Sequence, residues 1–218
     1  MPVTYRKTGD PRIPALICVN SLETPVWLQT VWEKGPDAFY IQRNGCGHCC
    51  AAMAARLQGA AETDPAKEYA RCLELWGEPA GPQDHFQTVS GIVRILESYG
   101  VKAKAYGVPS EKASGKTVRG LIETALCGGK QVIFWSHPLP GREAENPFSA
   151  GEHYVLACGY DECGRIVIAN SGGSISGGVQ LTDMDTVMNA LFYGSDPRVG
   201  TWGECGRLEE CAGIVIVG

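Results

Sequence analysis

A glycine-flanked cysteine that opens a run of strong helix formers constrains this chain more than any other feature. The stretch reads Gly45-Cys46-Gly47-His48-Cys49-Cys50-Ala51-Ala52-Met53-Ala54-Ala55-Arg56-Leu57, and Gly59 follows it. Alanine, methionine, arginine and leucine favour the helix, and a glycine just past the run ends it. Cys50, Met53, Ala54 and Leu57 recur at helical spacing and make one buried face. Cys46 then stands at the helix mouth, where unpaired backbone N–H groups and the positive end of the helix dipole gather. A thiolate is favoured in such a place, which lowers its pKa and populates its nucleophilic form. A cysteine is also a small apolar side chain at home in an interior. Three of them at one helix start, between glycines, argue for chemistry.

The rest of the chain follows as an α+β pattern, rich in helix first and in strand later. Residues 1–38 carry Pro2, Pro11, Pro14, Pro25 and Pro36. They read as an extended arm with one strand near 15–19 and a helical piece at 25–33. Residues 39–218 read as a single domain. Phe39 to Gln42 is an apolar lead into the cysteine helix. Asp64-Pro65 is an N-cap followed by proline at the first helical position, and starts a helix to about Leu75. Thr88 or Ser90 opens another, with Ile92, Val93, Leu96 and Tyr99 at helical spacing. Residues 101–108 alternate as a strand, 117–126 form an amphipathic helix, and 131–135 a buried strand. A loop with Pro and Gly spans 137–151. Strands at 152–160 and 165–170 flank Asp161-Glu162-Cys163-Gly164, a hairpin turn. Thr182 caps a helix over 183–191, and 213–217 is a final strand.

Composition narrows the partners. The chain has 218 residues, 44% apolar and 20% charged, with a formal net charge of -5. That balance, without a basic patch, argues against nucleic acid and acidic membrane surfaces as partners. No apolar run is long enough to span a membrane. The first residues lack the apolar core of a secretion signal, so the expected location is cytoplasmic or released without a visible signal peptide. The ten cysteines then read as reduced thiols rather than a disulfide framework. Cys158 and Cys163 with Cys205 and Cys211 make a conceivable zinc quartet, but at looser spacing than the usual CxxC.

A cysteine nucleophile needs a base, an orienter for that base, and donors for the oxyanion. His153 opens the first strand of the hairpin and Asn170 closes the second. Pairing about a turn centred near residues 161–162 sets the two side by side. The Asn170 amide oxygen is then placed to accept an imidazole N–H. Gln42, four residues before Cys46, is the candidate oxyanion donor together with the Cys46 N–H. His48 reads as exposed on the first helical turn, and His85 and His137 as loop residues, with His137 nearer the site.

At these residues the chain resembles the C39-like peptidases of the papain-like superfamily. Cys46-Gly47 with Ala52-Met53 is similar to that family's CG-x4-AM helix. His153-Tyr154-Val155-Leu156-Ala157-Cys158-Gly159-Tyr160-Asp161 resembles its histidine strand, and Asn170-Ser171-Gly172-Gly173 the papain-type Asn-Ser-Trp-Gly. The resemblance spans roughly residues 39–192. It implies a papain-like fold, a helical lobe packed on a small antiparallel sheet, and a thiol hydrolase acting on a peptide or protein without metal or organic cofactor. The family's glutamine usually stands about six residues before the cysteine, which leaves Gln29 as the alternative to Gln42. A papain-like register makes Cys49 the alternative nucleophile, and an acyltransferase on the same fold is a further possibility. Cys46-Gly47-His48-Cys49 also matches the dithiol of a thiol-disulfide oxidoreductase, a reading that leaves the His153/Asn170 hairpin unexplained.

Overall fold

Two strands buried on both faces form the centre of the molecule. The computed structural model describes residues 1–33, 38–76, 88–107, 112–137, 146–172, 178–191 and 213–218. Strands β5 (Gln131–Ser136) and β6 (His153–Tyr160) are almost wholly buried. They read as near-continuous apolar runs because protein covers both sides. Around them lie β4 (Ala103–Gly107), β7 (Ile166–Asn170), β8 (Gly178–Thr182) and β9 (Gly213–Val217). The sheet order is β4-β9-β5-β6-β7-β8, and every pairing is antiparallel. The last strand of the chain is therefore inserted beside the centre of the sheet, not added at its edge.

Side chains alternate between two cores, as strand geometry requires. Tyr154, Leu156, Cys158, Val167 and Ala169 join one cluster with helix α2 (Cys46–Leu57). Val155, Ala157, Ile166 and Ile168 join the other, with α5 (Lys112–Cys127) and α6 (Met184–Leu191). Helix α2 is buried on all sides except at Arg56 among its first twelve residues; a helix apolar all round belongs in an interior. Around it stand α1 (Ala38–Asn44), α3 (Pro65–Trp76) and α4 (Val89–Ser98). The local signals act as expected at two starts. Asp64 Oδ1 accepts the Lys67 N–H at 2.9 Å, and Thr88 Oγ1 accepts that of Gly91 at 2.9 Å. At α6 the cap is Asp183, which accepts from Thr186, rather than Thr182. Residues 39–42, expected as a lead-in, belong to helix α1.

The expected arm of residues 1–38 is corrected. Its described part holds a three-stranded antiparallel sheet, β1 (Thr4–Asp10), β2 (Ile13–Val19) and β3 (Leu22–Pro25), then a short 3-10 turn at Gln29–Val31 instead of a longer helical piece. The prolines mislead because they fall where a sheet tolerates them. Pro14 lies at the register shift between Lys7 and Asp10, and Pro25 ends β3 on an edge. Ala15, Ile17, Val19, Val26, Trp27 and Trp32 enter the same core as α2. Among the described residues, no helix is long and apolar enough to cross a membrane.

Candidate active site

The β6–β7 hairpin sets the geometry, and its register differs from the simple expectation. Asp161 N–H bonds to Arg165 C=O at 2.9 Å, closing a three-residue loop with Gly164 at φ +75°. Asp161 Oδ1 holds that loop by accepting from the N–H groups of Cys163 and Arg165. An odd loop would leave His153 and Asn170 on opposite faces of the sheet. A bulge corrects this. Tyr160 and Gly159 pair with Ile166 and Val167, but Ala157 and Leu156 pair with Ile168 and Ala169. Cys158 is the extra residue. Continued to the strand ends, the register sets Asn170 across from Val155, so it is the diagonal neighbour of His153 rather than its direct partner. Diagonal neighbours on one face are within reach of long side chains.

The two side chains do meet. His153 Nε2 and Asn170 Oδ1 are 2.9 Å apart, both buried. Backbone groups decide which atom donates. Oδ1 accepts the Gly172 N–H at 2.8 Å, and Nδ2 donates to the Phe148 carbonyl at 2.9 Å. The amide oxygen therefore faces the ring, and it can only accept. The imidazole proton stands on Nε2, and Nδ1 carries the lone pair in the neutral ring. Burial pushes the His153 pKa down from 6.5 to about 4, against the upward pull of Asn170.

Cys46 is the first residue of α2, after Gly45. Glycine is required there: a Cβ at Gly45 would stand 2.4 Å from the Ile41 carbonyl oxygen. Burial pushes the Cys46 thiol up, and the backbone N–H groups of Tyr154, Gly47 and Cys46 itself oppose that rise, while the Glu152 carboxylate adds to it. The low pKa expected from the helix end is thus corrected, because desolvation outweighs the N–H groups. One of those opposing N–H groups belongs to Tyr154, the residue after His153. Sulfur and imidazole are not hydrogen-bonded to each other; the ring is held by Asn170.

The other candidates separate clearly. Cys49 is fully buried, its thiol raised well above 9.0 by burial and by the neighbouring Cys46, with Ser171 as a hydrogen-bond partner. Gln42 donates its amide to the Trp32 carbonyl at 2.7 Å. Gln29 is buried beside the end of β7: its N–H bonds to Ser171 C=O at 3.0 Å, and its Oε1 accepts from Ser171 Oγ at 3.4 Å. His48 is buried, not exposed. Helices α1 and α3 cover it with Tyr40 and Tyr69, ring centroids 5.9 and 5.5 Å away, and burial drives its pKa well below 6.5. His137 is also buried, with Nε2 3.4 Å from the Glu152 carboxylate. His85 lies outside the described residues.

Ser136, Asn146 and Gln180 are site neighbours that the sequence reading passes over. Ser136 is the direct cross-strand partner of His153 and shares hydrogen bonds with Asn146. Its signal is the β5–β6 register, which sets Ser136 opposite His153. Nothing in the sequence around Gln180 marks it. Among the described residues, no group of three or more His, Cys, Asp or Glu side chains is arranged to hold a metal ion. Of the conceivable zinc quartet, Cys158 is buried at the bulge and Cys163 exposed in the turn, while Cys205 and Cys211 lie outside the described residues.

No protein-family model matches the sequence, and no curated protein matches it. Among solved structures, the chain is similar to a crystal structure from Bacillus anthracis described as a candidate C39-like peptidase. The identity is 14%, the match covers 80% of this chain and 88% of that one, and the TM-score is 0.46.

Proposed function

We propose that this chain is a papain-like cysteine peptidase that cleaves peptide or amide bonds through a thioester, with Cys46 as nucleophile, His153 as base and Asn170 as its orienter. The observation that carries the reading is the 2.9 Å contact from His153 Nε2 to Asn170 Oδ1, at the start of the strand whose next backbone N–H acts to lower the Cys46 pKa. It leaves Nδ1 as the basic nitrogen of the ring, and the proposal pairs that nitrogen with the helix-mouth thiol in the division of labour acyl transfer needs. Thiol and imidazole rest neutral, one raised and the other lowered by burial. Substrate binding closes the gap between them, as catalytic hydrogen bonds often tighten only in the complex. His153 Nδ1 takes the thiol proton as sulfur attacks the carbonyl, then gives it to the leaving amine. Water, relieved of a proton by the same nitrogen, cleaves the thioester and restores the thiol.

The Cys46 N–H at the helix start is the proposed first donor to the oxyanion. Gln29 is the proposed second: its amide makes only a long 3.5 Å bond to the Gln42 carbonyl, whereas the Gln42 amide is held at 2.7 Å by the Trp32 carbonyl. Cys46 is preferred to Cys49, whose thiol is fully buried and raised further. A Cys46/Cys49 dithiol would leave the buried His153–Asn170 pair without a role.

Peptide cleavage by the whole protein is the test, with Cys46→Ala, Cys49→Ala and His153→Ala compared and the thiol first alkylated by iodoacetamide mapped. Loss of about a thousandfold or more in kcat/KM for Cys46→Ala and His153→Ala, with Cys49→Ala close to the parent, is the expected outcome. Equal loss for Cys46→Ala and Cys49→Ala together with insulin reduction would establish the dithiol enzyme instead.

A further inference from the structure

Asn170 uses every polar atom it has, and one partner is a side chain with no part in the scheme above. Its second N–H goes to Gln180 Oε1 at 2.9 Å. Gln180 stands on β8 opposite Ile168, with its own Nε2 donating to the Pro147 carbonyl at 2.6 Å. That carbonyl can only accept, so the Gln180 amide has one orientation. The result is a head-to-tail series: His153 Nε2–H to Asn170 C=O, Asn170 N–H to Gln180 C=O, Gln180 N–H to Pro147 C=O. Aligned amides polarise one another, and each bond strengthens the next. The far end is anchored as well. Phe148 C=O accepts from Asn170, and Phe148 N–H donates to Asn146 Oδ1, which also accepts from Ser136.

We propose that Gln180 is a positioning residue: acting through Asn170, it keeps the His153 proton on Nε2 and the lone pair on Nδ1. The placement of the proton stands independently of the enzymatic reading; only its consequence for turnover rests on that reading. Removing Gln180 leaves a buried Asn170 N–H without an acceptor, and the amide gains by turning or shifting. Either movement weakens the acceptor that Nε2–H requires.

The experiment reads the His153 ring directly, by nitrogen-15 NMR of the full chain, in the parent and in Gln180→Leu and Gln180→Glu. The parent is expected in a single Nε2–H form near neutral pH. Gln180→Leu is expected to raise the share of the Nδ1–H form to about a third or more, and to lower kcat roughly tenfold with KM little changed. Gln180→Glu separates positioning from packing, and serves alone if the leucine variant does not fold. While protonated, the introduced carboxyl donates to Pro147 and accepts from Asn170, which reproduces the parent. Once ionised it faces the Pro147 carbonyl with a charge and no proton, and the series breaks. Its ring signal should therefore match the parent at the acid end of the range in which the ring is neutral, and depart from it as pH rises. An unchanged tautomer in both variants across that range would overturn the proposal. If peptide cleavage is absent from the parent, the proposed function falls, while the ring signals still decide this one.

Discussion

A buried imidazole that prefers to be neutral shapes the pH behaviour of the molecule. His153 holds its proton balance near pH 4 in the folded chain, against 6.5 unfolded. Its neutral form is the base, so kcat/KM should decline only as pH falls through about 4, not through the ordinary histidine range; a pH–rate profile checks this. The same shift acts on stability. The unfolded chain binds the proton more tightly, so the contribution is complete above about 6.5 and is lost as pH falls from there to about 4. It amounts to about 3 kcal/mol. Urea midpoints of the parent against His153→Leu over that window should converge toward the acid end. At this scale the sequence reading was uneven. Cys46, His153 and Asn170 stood out because each is a chemically capable residue at the end of a legible element. His48 misled, because exposure at the start of a helix depends on what packs there, and two tyrosines from other helices do.

The bulge in β6 decides which face the site occupies. Without the extra residue at Cys158, a three-residue turn would send His153 and Asn170 to opposite sides of the sheet. Gly159 makes the bulge possible. Its φ is +139°, and a Cβ there would stand 2.7 Å from Val3 Cγ2. Gly159→Ala should therefore lower stability by about 2–4 kcal/mol in urea titration, from backbone strain and the clash together. Adding Val3→Ala should relieve the clash but not the strain, a partial rescue. Helices and strands were legible as elements because periodicity and caps are local. The register was not. The expected direct pairing of His153 with Asn170 reached the right partner by the wrong path, since a bulge is visible only once two strands are laid together.

Segments near both ends of the sequence tie the molecule together. Strand β9 pairs with β4 on one side and β5 on the other, and Ile214, Val215 and Val217 are fully buried. Removal of residues 213–218 should divide the sheet, and circular dichroism should then show no cooperative thermal transition. At the other end, the proline-bearing segment forms a three-stranded sheet and supplies β2 and two buried tryptophans to the core around α2. Neither role could be read locally. The sequence alone determined the cysteine helix, the apolar strands, most of the caps and the order of the candidate groups, because each depends on residues within a few positions of one another. Only the tertiary structure decided that β9 lies inside the sheet, that one bulge returns His153 and Asn170 to a common face, and that Gln180 completes their hydrogen bonds. Those outcomes come from contacts between distant segments, where burial and register are properties of two surfaces rather than of one stretch of chain.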